Sequence, residues 1–97
     1  MGQQRSAPSM RSGLTAKGFR EKRGGDHYRL VYYDGEQPTE VWTKISHHST
    51  FIYRDKMLGK VQKQIRLSSQ DELIALVDCP MKEERYRVIL REQGILQ

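Results

Sequence analysis

The sequence predicts an α+β domain in the order α-β-β-β-α followed by two further helices. Three observations lead there. Period-two runs fill residues 19–46, their connections are too short for a parallel crossover, and the apolar period lengthens to that of a helix beyond residue 55. With 97 residues, 36% of them hydrophobic and 30% charged, the chain suits one domain and leaves no room for two independent cores.

Residues 1–9 are polar, contain Pro8 and show no periodicity, which predicts a disordered tail. A short helix is expected over residues 9–17, with Ser9 as its cap and Met10 and Leu14 on one face. Gly13 weakens it by ~1 kcal/mol relative to alanine. Phe19 to Arg23 reads as a brief strand, and Gly24-Gly25 signals a tight hairpin. In the next strand, Asp26 to Tyr33, Tyr28, Leu30 and Tyr32 share one face while His27, Arg29, Val31 and Tyr33 share the other. Asp34-Gly35 begins a turn, and Pro38 is expected to stay out of the ladder. Thr39 to Ser46 completes a three-stranded antiparallel meander.

Asp55 is placed to cap a helix reaching about Arg66, with Met57, Leu58, Val61 and Ile65 as its apolar stripe and Lys56, Lys60 and Lys63 on another side. Ser69 and Glu72 have capping-box spacing ahead of Leu73, Leu76 and Val77. Cys79-Pro80 breaks that helix, and a last one is expected from Pro80 to Gln93, with Tyr86, Ile89 and Leu90 inward and Gly94 as its stop.

Net charge is +5, distributed in blocks. Residues 1–23 carry six Lys/Arg against one acid, and residues 44–66 carry six against Asp55 alone. The intervening segment is acidic by three charges and residues 67–97 by two. Folding that joins the two basic blocks creates a patch suited to a polyanion, nucleic acid above all. No apolar run approaches the ~18–20 residues of a membrane helix. Met1-Gly2-Gln3-Gln4-Arg5 lacks the apolar stretch of a secretory signal, and the lone Cys79 has no internal partner, so a cytoplasmic protein is expected. His47 and His48 are adjacent, point apart in a strand and have no Cys/His spacing to complete a site, so neither metal nor cofactor is expected.

Local motifs sharpen the reading. Lys17-Gly18-Phe19 followed by Gly25-Asp26-His27-Tyr28-Arg29-Leu30 resembles the opening of the HicA (YcfA-like) toxins, small mRNA interferases of toxin–antitoxin operons with a double-stranded RNA-binding-domain-like fold. Thr43-Lys44-Ile45-Ser46-His47 is similar to that family's third strand, and Leu58 to Leu67 to its final helix. The resemblance covers residues 10–67; residues 68–97 form a C-terminal helical extension outside it. Asp26, Tyr28 and Ser46 stand where the family usually carries a small residue, a second histidine and proline.

The resemblance implies a ribonuclease that needs no metal, acts on mRNA and is held inactive by a HicB-like antitoxin protein. His27 matches its strand histidine. An imidazole, with an unperturbed pKa of ~6.5, can accept a proton from a ribose 2′-OH or donate one to a leaving 5′-oxygen. Asp26 is positioned to orient the ring or to repel phosphate. Lys22, Arg23, Arg29, Lys44, His47, Lys56, Lys60 and Lys63 are the candidate RNA contacts, and Trp42 or Tyr33 can stack on an unpaired base if exposed. Two alternatives share this pattern: a noncatalytic RNA-binding module of the same fold, and a protein-docking domain that uses the acidic C-terminal helices.

Overall fold

A computed structural model describes residues 3–96 apart from Asp26 and Cys79, with Arg23 and Gly24 described in backbone only. The expected roles of Asp26 and Cys79 therefore lie outside the described residues. The elements are β1 (Arg5–Ser6), α1 (Ala7–Thr15), β2 (Phe19–Gly24), β3 (His27–Asp34), β4 (Gln37–Ser46), β5 (Ile52–Tyr53), α2 (Asp55–Gln64), α3 (Gln70–Asp78) and α4 (Glu83–Glu92). The architecture is α+β: an antiparallel sheet ordered β2-β3-β4, a two-stranded ribbon β1-β5, and four helices.

Residues 5–9 are not part of the expected disordered tail. Arg5 and Ser6 pair with Tyr53 and Ile52, and the Ala7 N–H donates to the Phe51 carbonyl at 2.9 Å. The first helix starts at Ala7, not Ser9, because Ser6 is the cap: its hydroxyl accepts the Ser9 N–H at 3.2 Å. Pro8 falls in the first turn, where a missing N–H costs nothing. Arg5 also forms an ion pair with Asp78, tying this end of the chain to α3.

The β2-β3-β4 meander follows the expected alternation. Phe19, Leu30, Tyr32, Val41 and Ile45 point toward the helices and are buried. Pro38 nevertheless joins β4, opposite Tyr33 beyond a register shift. It sits near the start of an edge strand, where its missing N–H is tolerated.

Beneath the sheet, Met10, Leu14, Leu58, Ile65, Leu73, Leu76, Tyr86 and Leu90 complete one apolar cluster that draws on every helix. Each such side chain stabilises the fold by ~1.5–3 kcal/mol through burial. Gly13 sits where α1 meets α3: a Cβ there would lie 2.8 Å from Val77 Cγ1. The weakness it brings to α1 is the condition for that close approach. Tyr86 joins Phe19 and Tyr32 in an aromatic cluster with ring centroids 5.2–5.8 Å apart. The segment 68–97 is thus part of the same core as residues 10–67, not an appendage.

The boundaries of α2 and α4 also differ from expectation. Arg54 is the cap position of α2 and Asp55 its first acidic residue, where its charge complements the helix dipole. The helix stops at Gln64 because Arg66 turns to a left-handed φ of 70°. Met57, expected in the apolar stripe, is 37% exposed. In the box before α3, Ser69 accepts the Glu72 N–H as predicted, but the Glu72 carboxylate reaches one residue further, to the N–H and hydroxyl of Ser68 at 2.8 Å. That network holds the Glu72 carboxyl below the usual carboxylate range. The last helix begins at Glu83, three residues later than expected, and ends beside Gly94, whose N–H donates to the Arg91 carbonyl. No helix among the described residues is long and apolar enough to cross a membrane.

Candidate nucleic-acid interface

The sheet face turned away from the helices is where the alternation of β3 delivers His27 and Arg29. Cross-strand register extends this face in rows: Arg20, Val31 and Trp42 form one, and Lys22, Arg29 and Lys44 the next. Gly24, His27 and Ser46 form a third. Neighbouring strands are ~4.8 Å apart, so the Lys22–Arg29–Lys44 row sets the Cα atoms of three exposed cationic residues within ~10 Å.

Like charges placed opposite one another destabilise a sheet. Elsewhere in the fold, four arginines are matched to acids: Arg5 to Asp78, Arg11 to Glu21, Arg20 to Glu36 and Arg87 to Asp34. Among the described residues, no carboxylate lies within ion-pair distance of Lys22, Arg29 or Lys44. An anionic ligand laid across the row would remove the repulsion.

His27 is exposed and opens into a hollow of about 210 Å³ at the free edge of β4. Lys44 and Trp42 line it from the sheet, Lys60 and Gln64 from α2, and Tyr53 and Met57 from the β5–α2 segment. Ligand pockets that swallow a drug-sized molecule run to ~300–1,000 Å³, so this hollow is smaller than one that engulfs such a ligand. Gln64 is fixed by accepting the Thr43 hydroxyl at 2.6 Å. The Tyr53 hydroxyl accepts the Ser46 N–H at 2.9 Å, and burial pushes its pKa up.

A second hollow, about 320 Å³, is lined by Glu40, Trp42, Lys63, Gln64 and Arg66. The two share Trp42 and Gln64 and so run together as one groove between β4 and α2. The Arg29 guanidinium stacks 4.3 Å from the Trp42 ring centre, which holds the half-buried indole in place on the open face.

The site residues predicted from sequence separate into three groups. His27, Lys44 and Lys60 come together in one hollow, Lys63 lines the adjoining one, and Lys22 and Arg29 continue the charge across the sheet. Lys56, one turn before Lys60, is exposed but lies outside both hollows. His47 is not brought to His27. Its ring lies edge-on to Tyr28, whose side chain leaves β3 on the opposite face, and its Nε2 is 3.3 Å from the Gly25 carbonyl. Arg23 pairs with Tyr28 in the β2–β3 ladder, and its side chain lies outside the described residues.

Sequence reasoning misses Gln64, Tyr53, Met57 and Arg66 as members of the site. Gln64 was within its reach, since it follows Lys60 by four on the same side of α2. The other three become neighbours of His27 or Trp42 only through tertiary packing. The chain matches no family model, no curated protein and no solved structure.

Proposed function

We propose that the protein is a metal-independent endoribonuclease that acts on mRNA, a toxin of the HicA type restrained by a HicB-like antitoxin, with His27 as its general acid–base group. The observation that carries this reading is the hollow that His27, Lys44 and Lys60 line together. The meander backed by helices, with the histidine on its open face, accords with a double-stranded RNA-binding-domain-like fold.

RNA brings its own nucleophile, so the protein need only move protons and stabilise charge. His27 takes the proton from a ribose 2′-OH, and the 2′-oxygen attacks the adjacent phosphorus. Lys44 and Lys60 offset the charge that builds on the nonbridging oxygens. The bond to the 5′-oxygen breaks, that oxygen takes up a proton from the His27 imidazolium or a lysine, and a 2′,3′-cyclic phosphate remains on the upstream fragment. The Lys22–Arg29–Lys44 row holds the flanking backbone.

A noncatalytic RNA-binding module is the second reading. One feature favours it: among the described residues lining the hollow, His27 is the only imidazole and there is no carboxylate, so protonation of the leaving oxygen falls to the same ring or to a lysine. Hydrolysis of a long single-stranded RNA in EDTA, compared between the native protein and His27→Ala at matched folding, separates the two. A decrease of at least ~100-fold is expected from the nuclease. Equal rates would remove His27 from the mechanism, and binding without cleavage by the native protein would leave the noncatalytic module.

A further inference from the structure

We propose that Trp42 is a base-stacking subsite: it receives the unpaired nucleobase beside the phosphate held at His27, while Lys63 and Arg66 hold the next phosphate along the strand. The proposal rests on the RNA reading and adds a substrate requirement to it, namely an unpaired strand.

Trp42 is the sole tryptophan of the chain, and it lies on the sheet face opposite the core. The large aromatic side chains of the core, Tyr32 and Tyr86 among them, are fully buried, whereas the indole is half-buried and forms a wall of both hollows. Arg29 stacks against it at 4.3 Å and leaves it in a strongly cationic setting. Lys44 and Lys60 lie toward His27, and Lys63 and Arg66 lie toward the other end, with Glu40 as the one acid lining either hollow among the described residues.

The spacing suits a polynucleotide. Lys44 and Trp42 are two residues apart on one strand face, ~7 Å, and Lys60 and Lys63 rise ~4.5 Å along α2. A strand lying in the groove thus meets cation, aromatic ring and cation in succession. Groups so ordered recur where proteins hold single strands, because every base has a π-face to stack. In an A-form duplex the bases are stacked inside, and the indole has nothing to receive.

Trp42 also supplies the readout, since its fluorescence reports on this site alone. The full-length native protein is titrated with three probes: 2′-O-methyl hexaadenylate, which cannot be cleaved through its 2′-oxygen, an abasic strand of equal length, and an RNA duplex. Binding is followed independently by the anisotropy of a labelled strand. Saturable quenching by hexaadenylate is expected, with no quenching by the abasic strand or the duplex. Trp42→Ala should weaken hexaadenylate roughly 10- to 100-fold, the share one stacked base contributes, and leave the abasic strand unaffected. Trp42→Phe should retain most of the affinity. Unchanged abasic binding also shows that the alanine variant is folded. Tight hexaadenylate binding without quenching, equal in Trp42→Ala, would overturn the subsite and leave the RNA reading standing. No binding of any strand would overturn both.

Discussion

Arg29 and Lys44 stand directly opposite each other on β3 and β4, both exposed, on the face that carries His27. Lys22 faces Arg29 from the other side, so three cations line up across three strands. Such a row works against the sheet. Lys22→Gln and Lys44→Gln should therefore leave the melting temperature unchanged or raise it, while each weakens RNA binding. The slope of log K against log salt should become shallower by ~0.7 for each single-strand phosphate that is no longer neutralised. Reduced stability with an unchanged salt slope would show the row to be structural.

Lys17 has a different task from the other lysines. It is buried, and its Nζ donates to the Leu76 carbonyl at 2.5 Å and the Met81 carbonyl at 2.7 Å, closing the C-terminal end of α3. Lys17→Met keeps the apolar stem and strands both acceptors. Destabilisation by ~2–4 kcal/mol is expected in urea unfolding, with RNA affinity per folded molecule retained.

Gly18 follows at a φ of 99°, and a Cβ on it would approach Tyr32 Cε1 to 2.7 Å and Glu83 Oε2 to 2.5 Å. Those two groups are hydrogen-bonded, with the Tyr32 hydroxyl 2.8 Å from Glu83 Oε2. Gly18→Ala should cost ~1–3 kcal/mol from backbone strain and displace this hydrogen bond. In the native chain, burial and the Glu83 carboxylate push the Tyr32 phenol up to about 12. The folded state therefore keeps a proton that the unfolded chain gives up near pH 10, and stability falls as pH rises from ~10 toward 12. Gly18→Ala should bring the Tyr32 ionisation to lower pH in an ultraviolet titration. An unmoved Tyr32 titration in a folded variant would show that the hydrogen bond survives.

These residues also mark what was legible in the sequence. Period-two alternation placed His27 and Arg29 on one face and Leu30 and Tyr32 on the other, because a strand offers only two directions. The start of α1 was legible too, in Ser6 ahead of Pro8, but the absence of periodicity before Met10 hid it. The ribbon β1-β5 is two residues per strand, too short for any period, and exists because Ile52 and Tyr53 return to the chain start. The groove was not legible: Trp42 and Lys63 belong to separate elements, and only the packing of α2 along β4 unites them.

Glu72 offers an acid-side test. Its carboxylate accepts from the Ser68 N–H first and the Ser68 hydroxyl second, which lowers its pKa. A lowered folded-state value means that this stabilisation is present above the ordinary glutamate pKa of ~4.3 and disappears as pH falls through the lower folded value. Glu72→Gln should lower stability at pH 7, where the charged cap of α3 is fully present, and flatten the acid limb of the stability curve below about pH 4.5. An acid limb as steep as that of the native chain would place the acid-sensitive group elsewhere, with Asp78 beside Arg5 the next to test.

The C-terminal helices should prove indispensable to the fold. Tyr86 is fully buried, its hydroxyl donates to the Ile65 carbonyl at 2.7 Å, and its ring meets both Phe19 and Tyr32. Tyr86→Ala should cost ~3–5 kcal/mol. Ending the chain after Leu67 removes Leu73, Leu76, Val77, Tyr86 and Leu90 together, all buried. At ~1.5–3 kcal/mol each, their removal reaches the ~5–15 kcal/mol that separates a typical domain from its unfolded state. The native protein should resist proteolysis at Ser68–Ser69, and the shortened chain should show no cooperative unfolding transition by circular dichroism. A shortened chain that melts cooperatively and still binds RNA would instead make residues 68–97 a detachable cover over a self-sufficient core.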